Sequence, residues 1–166
     1  MNLDLSGQIA LVTGASRGIG QAIADELVKC GAKVIGTATS EDGAKAINTR
    51  LQASGGRGEV LNVTDPKACE DIIDLIVKDF GGIDVLVNNA GIDPRKTWNE
   101  ITVEDWDHVM ATNVRSQFIC AKAVFPLMKQ QDYGKIINVS SVVFLTGQKG
   151  YVHYVASKGA IIGFTR

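Results

Sequence analysis

Five short apolar runs recur along the chain, QIALVT, KVIGTA, GEVLNV, IDVLVN and KIINVS, and each is separated from the next by a stretch long enough for a helix. Each run is nearly continuous in apolar character, without the alternation of a sheet that has one wet face, so each is expected to be a strand buried on both faces. Parallel neighbours need long crossovers, and helices are the usual ones. The pattern therefore predicts an α/β fold, a doubly wound parallel sheet with helices on both faces. The helical patterns run from about Ile19 to Lys29, Asp42 to Ala53, Pro66 to Phe80 and Val103 to about Lys129. Asp65 before Pro66 reads as an N-cap and first helical residue, and Thr102 with Asp105 three positions on reads as a near capping box. The proline-bearing stretch DPRKTWNE, Asp93 to Glu100, reads as a loop after the fourth strand, at the edge where such sheets bind ligands.

No linker or repeat interrupts this, and 166 residues with 45% apolar content are enough for one domain burying roughly 70% of its unfolded surface. Lys+Arg 17 nearly balance Asp+Glu 18 with no basic stripe, which argues against nucleic acid or a membrane surface and for a small-molecule partner. The opening MNLDLSGQIA has no cationic segment leading into an apolar run, and no stretch approaches about 20 uninterrupted apolar residues, so a cytoplasmic location is expected. Cys30, Cys69 and Cys120 are scattered without CxxC spacing, as suits reduced thiols used as small hydrophobes. His108 and His153 have no partners at ligand spacing, so no metal site is expected.

TGASRGIG follows the first strand and opens the first helix, with Gly14, Gly18 and Gly20 in it. Glycines there allow a tight turn, close approach of backbone to a pyrophosphate, and close packing of helix on strand, while the helix N-terminus offers free N–H groups. Residues 1–166 thus read as a single dinucleotide-binding domain, with Ser16, Arg17 and Ile19 joining the glycines as candidate cofactor contacts. The spacing departs from GxGxxG, since three residues separate the first two glycines. An acid about 20 positions past such glycines serves NAD by binding the ribose 2′-hydroxyl. Here the second strand ends in Gly36-Thr37-Ala38-Thr39-Ser40, with no carboxylate before Glu41. Arg17, helped by the hydroxyl of Thr39 or Ser40, is placed to meet a 2′-phosphate instead, which predicts NADP(H).

Near the end, YVHYVASK sets Tyr154 and Lys158 four apart, on one face of a helix if Tyr154 opens one. Such a pair alone is commonly a solvated face, and its company decides otherwise. TGASRGIG, the NNAG of Asn88 to Gly91, Asn113 in the long helix, Ser141 after the fifth strand and YVASK together resemble the short-chain dehydrogenase/reductase family, over the whole chain. Within it, GAKVIGTATSEDGAKAI and LNVTDP resemble the bacterial 3-oxoacyl-acyl-carrier-protein reductases.

The resemblance implies a Rossmann-like fold, NADPH, reduction of a 3-oxoacyl thioester to the 3-hydroxyacyl form in fatty-acid synthesis, an acyl carrier protein as partner, and a homotetramer at full length. It implies that Tyr154 is the general acid/base, Ser141 the donor to the substrate carbonyl, Lys158 the ligand of the nicotinamide ribose, and Asn113 the support of a water in the proton relay. Asn89, Ala90 and Gly91 would line the cofactor, and Asn62 and Val63 would contact the adenine. Ser140 adjoins Ser141, and only the distance to Tyr154 selects between them. His153 is expected to flank the pocket, and Trp98 and Trp106 to be packing residues. Family chains continue well past the lysine, so the C-terminal part of the fold is expected to be absent here, the domain being truncated just after the Tyr/Lys helix begins. The second half, PRKTWNEITVEDWDHVMATNV and FLTGQKGYVHY, looks more like reductases of sugars, polyols or small ketones, and KQQDY offsets Lys129 with Asp132 where a basic docking patch would be expected. A rival of another class is a truncated, inactive nucleotide-binding fragment.

Overall fold

The computed structural model describes residues 3–166, whose five strands pair in parallel in the order β3-β2-β1-β4-β5. The strands are β1 (Ile9–Val12), β2 (Lys33–Ala38), β3 (Arg57–Val60), β4 (Val85–Asn88) and β5 (Lys135–Asn138). From β1 the chain builds outward to β3, then returns to lay β4 on the other side of β1, with Val12 opposite both Gly36 and Val87. The carboxyl ends of β1 and β4 therefore flank the point where strand order reverses, the usual crevice for a ligand. Successive β1 side chains point to opposite faces and seed two cores. Ile9 and Leu11 meet Ile73 and Ile76 of α3 (Pro66–Phe80) and Val124 of α5 (Ser116–Gln131). Ala10 and Val12 meet Ala24 of α1 (Gly18–Lys29) and Ile47 and Leu51 of α2 (Glu41–Leu51).

The caps form as their residues demand. Asp65 Oδ1 accepts from the N–H groups of Lys67 (2.9 Å) and Ala68 (3.2 Å) ahead of α3. At α4 (Val103–Met110) Thr102 Oγ1 accepts from Asp105 N at 3.2 Å while Asp105 Oδ2 accepts from Thr102 N at 3.0 Å, a complete capping box. Ser40 Oγ caps α2 by accepting from Gly43 N at 3.2 Å.

The structure corrects the reading of the strands and of the long helix. Burial on both faces holds for β1 and β4 and for β2 after Lys33, but not for β3 and β5, where Val60 and Ile137 are 41% and 49% exposed. These are the outer strands of the sheet formed by the described residues, and apolar content along a strand carries no information about which strand lies outermost. Charge guards the β3 edge: Arg57 donates through Nη1 to Asp79 at 2.7 Å and lies over the Phe80 ring, 5.2 Å from its centre. Second, the long helix is interrupted. α4 passes through a π-helical turn, Ala111–Arg115, before α5 begins, and Asn113 lies in that turn. One extra residue in a turn leaves the apolar periodicity almost intact, so the pattern does not register it. The last elements are a short α6 (Val143–Thr146) and α7 (Val152–Thr165), which opens two residues before Tyr154. The cysteines scattered in sequence are not all scattered in space: Cys120 Sγ lies 3.8 Å from Cys69 Sγ between α5 and α3, both buried.

Candidate active site

The loop from Gly14 to Arg17 joins β1 to α1, and its conformation requires glycine. Gly14 and Gly18 have φ of +67° and +57°, in the left-handed region. At Gly20 a β-carbon would lie 2.2 Å from the carbonyl oxygen of Gly14 and 2.4 Å from Asn89 Nδ2. Gly20→Ala is accordingly expected to destabilise the protein by roughly 3 kcal/mol, the upper range for forcing atoms into a packed site. Thermal unfolding checks this, and an unchanged melting temperature would show that the loop yields freely. α1 also differs from α2, α3 and α4 at its start: Arg17 is its N-cap and makes no side-chain capping bond. The first-turn N–H groups of α1 therefore keep their capacity for an anion, and the cradle fits a pyrophosphate.

Two residues that motif reading passed over hold this loop. Thr13 Oγ1 accepts from Asn89 N (3.1 Å) and Ala90 N (3.0 Å), and Thr37 Oγ1 accepts from Gly14 N (3.3 Å) while the Thr37 carbonyl accepts from Ala15 N (2.8 Å). Both threonines are buried. Their signal was available: a hydroxyl near the end of an otherwise apolar, buried strand must find partners. Asn89 Nδ2 donates to the carbonyls of Thr13 (3.0 Å) and Gly14 (3.1 Å), so its amide shapes the cradle from the β4 side.

The candidates for the adenine end are gathered where β1, β2 and β3 finish. Arg17 and Thr39 are exposed there, and Ser16 is half-buried. Arg17 forms no ion pair among the described residues. Asn62 is exposed, its Oδ1 accepting from the N–H and hydroxyl of Thr64, whereas the Val63 side chain is buried in the core, which leaves only its backbone to meet a ligand.

At the other end, Ser141, Tyr154 and Lys158 line one cavity of about 180 Å³ with Ile19, Asn89, Gly91 and Asp93. Lys158 is 4% exposed, its ammonium 5.5 Å from the centre of the Tyr154 ring and donating to the Val139 carbonyl at 2.9 Å. Burial lowers its pKa, and the carboxylate of Asp93 acts in the opposite direction. The two serines separate by their bonds. Ser140 Oγ donates to the Lys158 carbonyl at 2.7 Å, while Ser141 Oγ only accepts, from Val143 N at 3.4 Å, and keeps its proton for another acceptor.

Asn113 is fully buried. Its Oδ1 accepts from Ile92 N at 2.8 Å, and its Nδ2 donates to the Ile92 carbonyl (2.9 Å) and to Ser157 Oγ (3.0 Å). The side chain thus ties the loop after β4 to the helix that carries Tyr154. His153 does not flank the cavity: it is buried at 0% exposure, with Nδ1 accepting from Tyr154 N at 3.1 Å. Trp98 and Trp106 are not core packing either. Both are exposed, along a shallow apolar cleft with Val103 and Val152.

Comparison with known proteins places the chain in a family. The family model described as short chain dehydrogenase matches residues 8–166. The 3-oxoacyl-[acyl-carrier-protein] reductases FabG of Vibrio cholerae and Escherichia coli are 49% and 48% identical over 164 residues, which cover 99% of this chain and 67% of each of theirs. A solved structure from Sinorhizobium meliloti, described as a short-chain alcohol dehydrogenase, aligns at a TM-score of 0.92 and 38% identity, covering 100% of this chain and 67% of that one. The chain spans about two thirds of the length of the relatives it matches.

Proposed function

Because the chain belongs to the short-chain dehydrogenase/reductase family, we propose that the intact protein reduces a carbonyl to an alcohol with NADPH, its substrate being a 3-oxoacyl thioester on acyl carrier protein or CoA. The observation that carries this reading is the convergence of Ser141, Tyr154 and Lys158 on one cavity beside the uncapped helix of the glycine loop. The cofactor supplies the hydride. Ser141 donates a hydrogen bond to the substrate carbonyl, and Tyr154 passes its proton to the oxygen as negative charge grows there. Each of these contacts is worth roughly 2–4 kcal/mol to the transition state when preorganised. The Lys158 ammonium, 5.5 Å from the centre of the Tyr154 ring, is the cation nearest the hydroxyl that gives up its proton. Lys158 also holds the nicotinamide ribose, and Gly14, Ser16, Gly18, Ile19 and Gly20 hold the pyrophosphate. Ala90 and Gly91 line the nicotinamide side.

The test is NADPH oxidation by the intact protein with acetoacetyl thioesters, set against simple ketones, sugars and polyols. No turnover with any of them would overturn the reading. Turnover of ketones or sugars without thioesters would establish the second reading, a short-chain dehydrogenase of small carbonyls. The resemblance to the described alcohol dehydrogenase and the Lys129 charge offset by Asp132 favour that alternative. A homotetramer in the cytoplasm completes the proposal, and no helix among the described residues is long and apolar enough to cross a membrane.

NADPH is expected to bind more tightly than NADH, because Arg17 is an uncommitted cation and Ala38 stands where an acid would hold the 2′-hydroxyl. Arg17→Ala should weaken NADPH about tenfold, the scale of losing a charge-assisted hydrogen bond, and leave NADH unchanged. Fluorescence titration with both cofactors checks this, and equal affinity for the two in the unmodified protein would end the argument from Arg17.

A further inference from the structure

The loop that would meet the pyrophosphate is held from three sides. Thr37 and Asn89 take the N–H of Gly14, the N–H of Ala15 and the carbonyl of Gly14 from the strand ends. The third hold comes from a helix: Arg50, in the last turn of α2, donates through Nη2 to the Ala15 carbonyl at 2.9 Å. Its Nε lies 2.7 Å from Asp25 Oδ1 on α1, as a close ion pair and not an aligned hydrogen bond. One guanidinium, whose side chain is 24% exposed, thus joins the loop, the helix that follows it and the helix beyond β2.

We propose that Arg50 is a positioning residue for the dinucleotide, acting through the peptide between Ala15 and Ser16; the proposal rests on the cofactor reading above. In a trans peptide the C=O and the following N–H point in opposite directions, and no cis bond occurs among the described residues. With the Ala15 oxygen drawn toward α2, the Ser16 N–H is turned to the other side of the loop. That N–H donates to no group among the described residues, so it is free for an anion together with the open first turn of α1. Without the guanidinium the Ala15 carbonyl loses its partner, and this peptide is free to rotate and present oxygen in place of N–H. Asp25 offsets the charge of Arg50, so the pair contributes orientation more than attraction. A lysine keeps the charge but lacks the fork that reaches carbonyl and carboxylate together.

The test is titration of the intact protein with two probes, NADPH and adenosine 2′-monophosphate, which lacks the pyrophosphate. Thermal unfolding without ligand runs in parallel. Arg50→Met is expected to weaken NADPH about tenfold, the scale of one hydrogen bond to an anion, and to leave the nucleoside monophosphate within twofold. Arg50→Lys should restore little of the loss. Should Arg50→Met fail to fold, Asp25→Asn removes the second anchor alone and is expected to weaken NADPH about threefold while sparing the monophosphate. NADPH affinity within twofold of the parent in the folded variants overturns the proposal. Equal losses for both probes overturn it too, since they mean general damage to the fold. A parent that binds no NADPH overturns the cofactor reading and this inference with it, whereas a parent that binds normally beside an unaffected variant overturns this inference alone.

Discussion

Tyr154→Phe in the intact protein is expected to cut carbonyl reduction ~10²–10⁴-fold while NADPH still binds, the usual scale for removing a positioned acid/base. The substitution deletes one hydroxyl and little else. The Tyr154 ring packs edge to face against Tyr151, with centroids 6.0 Å apart, and lies beside the Lys158 ammonium. Both contacts belong to the ring and survive in phenylalanine, as does the backbone bond from Tyr154 N to His153 Nδ1. Ser141 keeps its place and its free proton, so the carbonyl still has one donor but no proton source. Single-turnover and steady-state rates on acetoacetyl thioesters, with NADPH affinity measured alongside, make the comparison. Activity within a few-fold of the parent on thioesters or simple ketones would remove Tyr154 from its role.

Lys158→Ala should look different, because one ammonium is asked to do several things. It lies beside the phenol ring, it donates to the Val139 carbonyl, and it lines the cavity at the proposed ribose end. Its loss is expected to weaken NADPH by about tenfold, as for one charge-assisted hydrogen bond, and to lower the rate by at least as much as Tyr154→Phe. It also leaves a half-buried carbonyl without its partner. The pH dependence has a definite sign. Burial depresses the pKa of Lys158 from its ordinary 10.5, so over the window just below that value the unfolded chain holds a proton that the folded one has released. Stability from this residue therefore rises with pH in that window, and Lys158→Ala should flatten the rise. Melting temperatures of parent and variant across the alkaline range provide the check. An unchanged NADPH affinity in Lys158→Ala would separate Lys158 from the cofactor.

Short-range chemistry is legible along the chain. Apolar runs spaced by helical stretches dictate parallel α/β layering, Asp65-Pro66 and Thr102 with Asp105 start their helices, and Gly14, Gly18 and Gly20 mark a turn that other residues strain or block. The caps and the glycine turn depend on residue types a few positions apart, and the layering on the order of runs along the chain, so the linear pattern contains them. The list of site residues came from the company of motifs, not from any one residue's surroundings.

Relations between residues far apart in the chain emerge only when the layers pack. Whether a strand is central or outermost follows from the order β3-β2-β1-β4-β5, which no run of residues announces. Ser140 and Ser141 are chemically alike, and the carbonyl of Lys158, on a different element, is what takes one hydroxyl and leaves the other. Asn113 lies in a π turn, and its amide meets the backbone of Ile92, 21 residues away, a contact that the helical pattern does not contain. Only the packing of α2 against the glycine loop brings the Arg50 guanidinium to the Ala15 carbonyl, 35 residues away. The reason is physical: each of these bonds was selected by which partner the assembled sheet places within about 3 Å, and that distance exists only once the layers have packed.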